Sequence, residues 1–192
     1  FPDKAKAFSE ASRVLRSGGA LLFNVWDRIE ENEFADAVTI ALESMFPEDP
    51  PRFMARTPHG YHDLAVIERD LRDGGFVSPP IIHTVSARST AASPRIPALA
   101  YCQGTPLRNE IEARDKSRLG EATDLAAAAI AERFGPGRVD GRDGARGRGG
   151  ERRHHVQDLL QRRDGGHRRA AAARAAQRAV VHATARGGRG RA

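Results

Sequence analysis

At 192 residues, 40% of them hydrophobic, the chain is long enough for one domain with a core, and its single cysteine, Cys102, excludes an intrachain disulfide and suits a reducing cytoplasm. No stretch approaches the roughly 20 apolar residues of a membrane span, and the first residues hold no basic run ahead of an apolar segment, so they read as no secretory signal. The net charge of +6 is uneven: residues 141–192 hold 14 Arg, no Lys and four acidic residues (net +10), whereas residues 1–140 hold 17 basic and 21 acidic residues (net −4).

In chain order, Phe1-Pro2-Asp3 reads as a loop entering a helix, so the chain is expected to begin within a longer protein. Proline and an acidic residue suit a first helical turn. Phe8, Ala11, Ser12 and Leu15 then recur at helical spacing, and Gly18-Gly19 supplies a terminator. Ala20 to Trp26 is apolar on both faces except Asn24, the pattern of a buried strand in a parallel sheet. Asn32 is a candidate cap for a helix whose face is Phe34, Val38, Leu42 and Met45, stopped by Pro47, Pro50 and Pro51. A loop through Thr57 to His62 leads to a helix starting near Asp63, with Leu64, Ile67 and Leu71 on its face and Gly74-Gly75 at its end. A second strand is expected around Ile81 to Ser86. Ser93 to Arg114 reads as helix interrupted by Gly104-Thr105-Pro106, and a last helix spans Leu119 to Phe134, closed by Gly135-Pro136-Gly137. Strands separated by helices give an α/β layered class. Two strands are too few for such a layer, so strands are expected to be missing from the chain.

The stretch "FPDKAKAFSEASRVLRSGGALLFNVWD", Phe1 to Asp27, resembles the passage into the fifth strand of class I S-adenosylmethionine-dependent methyltransferases, in the small-molecule branch that includes ubiquinone and menaquinone biosynthesis enzymes. The family's "RVLxxGG" pattern falls on Arg13, Val14, Leu15, Gly18 and Gly19. "HDLAVIERDLRDGGF", His62 to Phe76, is similar to the later helix that ends in Gly-Phe before strand six. The resemblance covers residues 1–140. It implies a Rossmann-like sheet, present here as strands five and six with flanking helices. It also implies S-adenosylmethionine as cofactor and a small-molecule methyl acceptor as partner. Transfer of an already activated methyl depends mainly on placing the acceptor in line, so few chemical catalysts are needed. The glycine-rich loop after strand one and the acidic residue after strand two have no counterpart in the chain. Strands one to four are therefore expected ahead of Phe1. The family places strand seven between five and six, antiparallel to both, and it should follow Asp140. "RDGARGRGGERRHH" has no strand character, so strand seven is expected to be missing. The isolated chain is then expected to form no stable, cofactor-binding domain, and to be inactive.

The tail, residues 141–192, is expected to be disordered or the product of an out-of-frame translation. It is dominated by Arg, Ala and Gly, whose codons are GC-rich, and it lacks Lys, Asn, Ile, Met and Ser. The alternative is an arm that engages nucleic acid through its ten net positive charges. That arm would lack the usual stacking residues, since the segment has no Phe, Tyr or Trp.

Candidate site residues follow from position. Asn24, Trp26 and Asp27 lie near the carboxyl end of the first strand, where α/β sheets bind ligands. Trp26 could orient an acceptor and Asp27 could take its proton; equally, Trp26 could pack in the core and Asp27 cap the next loop. "PHGYHD" places His59, Tyr61 and His62 in a substrate lid or in a solvated loop, the second reading being preferred; no third ligand completes a metal set. Arg108, after the Gly104-Thr105-Pro106 break, either faces an anionic acceptor or lies at a plain helix junction. Cys102 reads as a small buried hydrophobe. The doubled glycine at 18–19 runs from helix into strand, the reverse of a phosphate cradle.

Overall fold

The structure is a computed structural model that describes residues 1–143 and 179–184. Helix α1 (Lys4–Val14) starts where the Asp3 carboxylate accepts the Lys6 amide at 2.8 Å. Gly18, at φ +72°, then turns the chain into β1 (Ala20–Val25). A short 3-10 turn (Ile29–Glu31) precedes α2 (Glu33–Met45), and the four-residue α3 (Phe53–Arg56) follows. Helix α4 (Leu64–Asp73) is capped by Asp63 and leads to β2 (Ile81–Thr84) and β3 (Ala87–Ala91). Three helices, α5 (Arg95–Gly104), α6 (Leu107–Asp115) and α7 (Leu119–Phe134), come next, and β4 (Val139–Asp143) follows. The last described strand is β5 (Ala179–Thr184). No helix among the described residues is long and apolar enough to cross a membrane.

The strands form two small antiparallel sheets. One has the order β1-β5-β2, with β5 antiparallel to both neighbours, so β1 and β2 run parallel without pairing to each other. Leu22 and Ile81 both pair with His182. The other sheet is the β3–β4 pair, in which Ser89 opposes Gly141.

Each sheet has its own core. Leu21, Phe23, Val25 and Ile82 point inward with Ala183 onto Phe8 of α1 and Ile67 and Leu71 of α4. The Phe8 and Phe23 rings stand 5.1 Å apart. The opposite face of β1 is open: Leu22 is 64% exposed, and Ile81 in the same row is 55% exposed. The second core centres on α2, whose Phe34, Val38, Leu42 and Met45 meet Cys102, Ile111, Ala126 and Ile130. Burying one such side chain stabilises by about 1.5–3 kcal/mol. Phe34 also meets the ring edge of Phe134 at 5.1 Å.

Several expectations need correction. Residues 141–192 do contain strand: Gly141 to Asp143 complete β4, so the boundary after Asp140 cuts an element, and Ala179–Thr184 is the middle strand of a sheet. The Ala-Val-Val-His-Ala-Thr run has three β-branched residues in six, a signal lost among its Arg, Gly and Ala neighbours. Strand β1 is not sandwiched in a parallel sheet. It is paired antiparallel on one side, and its faces alternate between exposed and half-buried. The expected absence of both neighbours of this strand is therefore overturned on one side. The remainder of the tail, on which the expectations of disorder, altered frame and nucleic-acid binding rest, lies outside the described residues.

Candidate functional site

The carboxyl end of β1 gathers a polar cluster. After Val25 the chain leaves the sheet through Trp26 and Asp27. The Asp27 carboxylate accepts the Arg28 amide at 2.7 Å, which closes the turn. The Asp27 main-chain oxygen points the other way and meets His59 Nδ1 at 2.7 Å. A carbonyl only accepts, so Nδ1 carries the proton. The imidazole and the Trp26 indole are tilted at 60°, with centroids 5.7 Å apart. His59 is 4% exposed. Burial pushes its imidazole down from the usual range, against the raising influence of the Asp27 carbonyl, so the ring is neutral at pH 7. His62 Nδ1 faces the His59 main-chain oxygen at 2.7 Å.

A second layer lies behind this turn. Asn32 occupies the cap position of α2, yet its side chain caps nothing. Its Nδ2 donates back to the Arg28 carbonyl at 3.0 Å and more weakly to that of Asp27 at 3.4 Å. Asn32 also bridges to Asp143 at the end of β4. There the Arg142 amide donates to the Glu33 carboxylate, and the Arg142 guanidinium stands 3.8 Å from both Glu31 and Glu33. The Ser89 hydroxyl donates to Asp143, whose carboxyl burial holds above its usual range. This network clamps the β3–β4 pair onto the start of α2.

The candidates separate in space. Trp26 and Asp27 come together with His59. Asn24 lies on the exposed face of β1. Tyr61 turns to α4, where its hydroxyl donates to Asp70 at 3.0 Å and Lys4 approaches its ring at 5.0 Å. Burial and the Asp70 carboxylate raise its phenol pKa. Arg108 is exposed on α6 and pairs with Glu112 at 2.8 Å, so it faces no site. Cys102 is fully buried in the α2 core, and burial pushes its thiol to about 11. The solvated-loop reading of His59 is corrected: the ring is inside, because Trp26 and the Asp27 carbonyl replace water around it. Sequence reasoning missed the Glu31, Asn32, Arg142 and Asp143 network. It depends on β3 and β4, whose short polar runs carried no strand signal.

Among the described residues, no three His, Cys, Asp or Glu side chains are grouped to hold a metal ion. The described glycines with positive φ do not form a nucleotide cradle either. Gly18 and Gly75 both follow helices and lead toward strands, so no helix N-terminus faces the space they open. The described residues therefore do not fit S-adenosylmethionine. No protein-family model matches the sequence, and no curated protein matches it.

Proposed function

We propose that the chain is the C-terminal part of a class I S-adenosylmethionine-dependent methyltransferase acting on a small molecule. The observation that carries this reading is the sheet order β1-β5-β2 with the middle strand antiparallel to both neighbours. It is the order five-seven-six that the family resemblance requires, and β1 is the strand entered through Arg13-Val14-Leu15 and Gly18-Gly19. The helix that carries the second family stretch, α4, precedes β2 as the resemblance demands. The carboxyl end of β1, with Trp26 and His59, is the place for a methyl acceptor. Because these residues offer the cofactor no cradle, its binding is assigned to upstream sequence and no chemical step is derived through it. The isolated chain accordingly binds no S-adenosylmethionine; saturable binding by residues 1–192 alone contradicts that assignment.

The test is the coding DNA upstream of Phe1 and across Arg138 to Arg148, translated in all three frames. A strand, glycine-rich loop and helix in frame upstream, with methyl transfer by the protein extended to include them, supports the reading. An upstream frame that is closed, or open without such a loop, overturns it. The alternative, nucleic-acid binding by the Arg-rich tail, rests on its net charge of +10. It expects binding that weakens steeply with salt and is lost when residues 144–178 are replaced by a neutral linker.

A further inference from the structure

Strands β2 and β3 are consecutive, with only Val85 and Ser86 between them. Their partners are far apart in the chain. Thr84 pairs with Ala179 and Ala87 pairs with Asp143, both antiparallel. Three residues of extended chain span roughly 10 Å, so the end of β4 and the start of β5 are brought about that close. One unbroken partner strand would place two residues there, opposite Val85 and Ser86. The chain instead has 35, residues 144–178. The pleat agrees with this register. Ile82 and Ala183 belong to the core of α1 and α4, whereas Ala91 and Val139 belong to the core of α2. Ile82 and Ala91 are an odd number of positions apart, so they point to opposite faces of one strand. With 33 residues taken out, Ala183 and Val139 are an odd number apart as well. The two strands thus turn opposite faces to the two cores in step.

Each half is also held by contacts of its own. The Asp143 carboxylate accepts the Ser89 hydroxyl, and its main chain bridges to Asn32. Strand β5 is paired on both edges and buries Ala183 with Ile67 and Leu71. Neither anchor draws on residues 144–178. We infer that β4 and β5 are two halves of one strand, and that 33 residues, 146–178, are an insertion that the fold does not require. The insertion carries ten arginines and three acidic residues, most of the positive charge of residues 141–192. That charge is therefore separable from the two sheets, and nucleic-acid binding by the tail would reside in a part that can be removed without unfolding the rest. The inference stands on strand register and does not rest on the methyltransferase reading.

The test compares the full 192-residue chain with a chain lacking residues 146–178, in which Gly144 and Ala145 stand opposite Val85 and Ser86. Deletion shortens the loop that folding must close, so the folding equilibrium constant from urea unfolding should rise by about tenfold or more. Proton contacts from Thr84 to Ala179 and from Ala87 to Asp143 should be present in both chains. A third chain, with a neutral Gly-Ser linker of equal length in place of residues 146–178, separates charge from loop length and should keep both contacts. A fourth chain, lacking Ala145 as well, leaves one residue opposite two. It must bulge or slip by one position, and a slip turns Ala183 out of its core, so it should be less stable than the 33-residue deletion. A 33-residue deletion that unfolds or is less stable than the full chain, loss of either contact in the linker chain, or equal stability of the two deletions overturns the inference. None of these readouts needs S-adenosylmethionine, so failure here is distinct from failure of the upstream DNA test.

Discussion

The Asp27 main-chain oxygen accepts a hydrogen bond from His59 Nδ1 at 2.7 Å, joining the end of β1 to a loop 32 positions later. The bond fixes both the loop and the ring. Its removal leaves the half-buried Asp27 carbonyl with only the 3.4 Å contact from Asn32 Nδ2, so His59→Ala should cost about 1–3 kcal/mol in urea unfolding. His59→Asn should recover part of that loss.

The same residue gives a pH signature. Burial lowers the folded imidazole pKa below 6.5, the ordinary value that the unfolded chain keeps. Between those two values the unfolded chain binds the extra proton. Stability should therefore be constant above 6.5, fall as the pH drops from there toward the folded pKa, and level off below it. The slope from this residue should disappear in His59→Asn. Unfolding midpoints at a series of pH values measure it, and an unchanged slope in the variant contradicts the assignment.

Glu110 holds α3 in place. One carboxylate oxygen accepts the Arg52 amide at 2.8 Å and the Phe53 amide at 3.1 Å, and the other pairs with Arg56 at 2.6 Å. Burial alone would raise this carboxyl, but the Arg56 guanidinium and the two amides outweigh it and hold it below its usual 4.5. Its contribution is thus present above about 4.5 and lost as pH falls through the folded pKa. Glu110→Ala should destabilise by about 1–3 kcal/mol at pH 7 and should remove that acid-side loss. Circular dichroism melts at pH 7 and in mild acid check both parts.

Gly74 is needed for contact, while Gly75 is needed for its φ of +90°. A Cβ on Gly74 would stand 2.4 Å from Phe8 Cβ and 3.1 Å from the main chain of Ala5 and Phe8. Backbone cannot swing aside, so α1 and α4 must separate. Gly74→Ala should cost about 1–3 kcal/mol and loosen the Phe8–Phe23 contact. A thermal melt equal to that of the unaltered chain contradicts this.

The two strands with apolar runs and the long helices were legible, because Phe34, Val38, Leu42 and Met45 recur at helical spacing and Leu119 to Phe134 does the same. The double glycine at 74–75 was legible as a stop, but only the packing of Phe8 explains why its first member is glycine. Strands β3 and β4 were not legible, since "ARSTA" and "VDGRD" are held by each other and by α2 rather than by apolar alternation. Strand β5 was hidden by composition: six residues of strand chemistry inside fifty residues rich in arginine. At the site, Trp26 and Asp27 were legible from their place after a strand. His59 was not, because a lone histidine in a loop gives no sign of which carbonyl it meets.

Strand β5 is central in its sheet, where both of its edges are paired. Proline removes a donor and is confined to edges and bulges. Val181→Pro should therefore cost about 3 kcal/mol or more and abolish a single cooperative transition. The same substitution at Ala192, beyond the strand, should leave the transition unchanged, and unfolding curves by tryptophan fluorescence distinguish them.

The position of β5 carries the functional reading, and cross-strand proton contacts in the nuclear magnetic resonance spectrum of the full chain test it most directly. The expected result is a contact from Leu22 to His182 and another from His182 to Ile81, placing β5 between β1 and β2. A direct Leu22–Ile81 backbone contact, or none to residues 179–184, contradicts the sheet order and with it the methyltransferase reading.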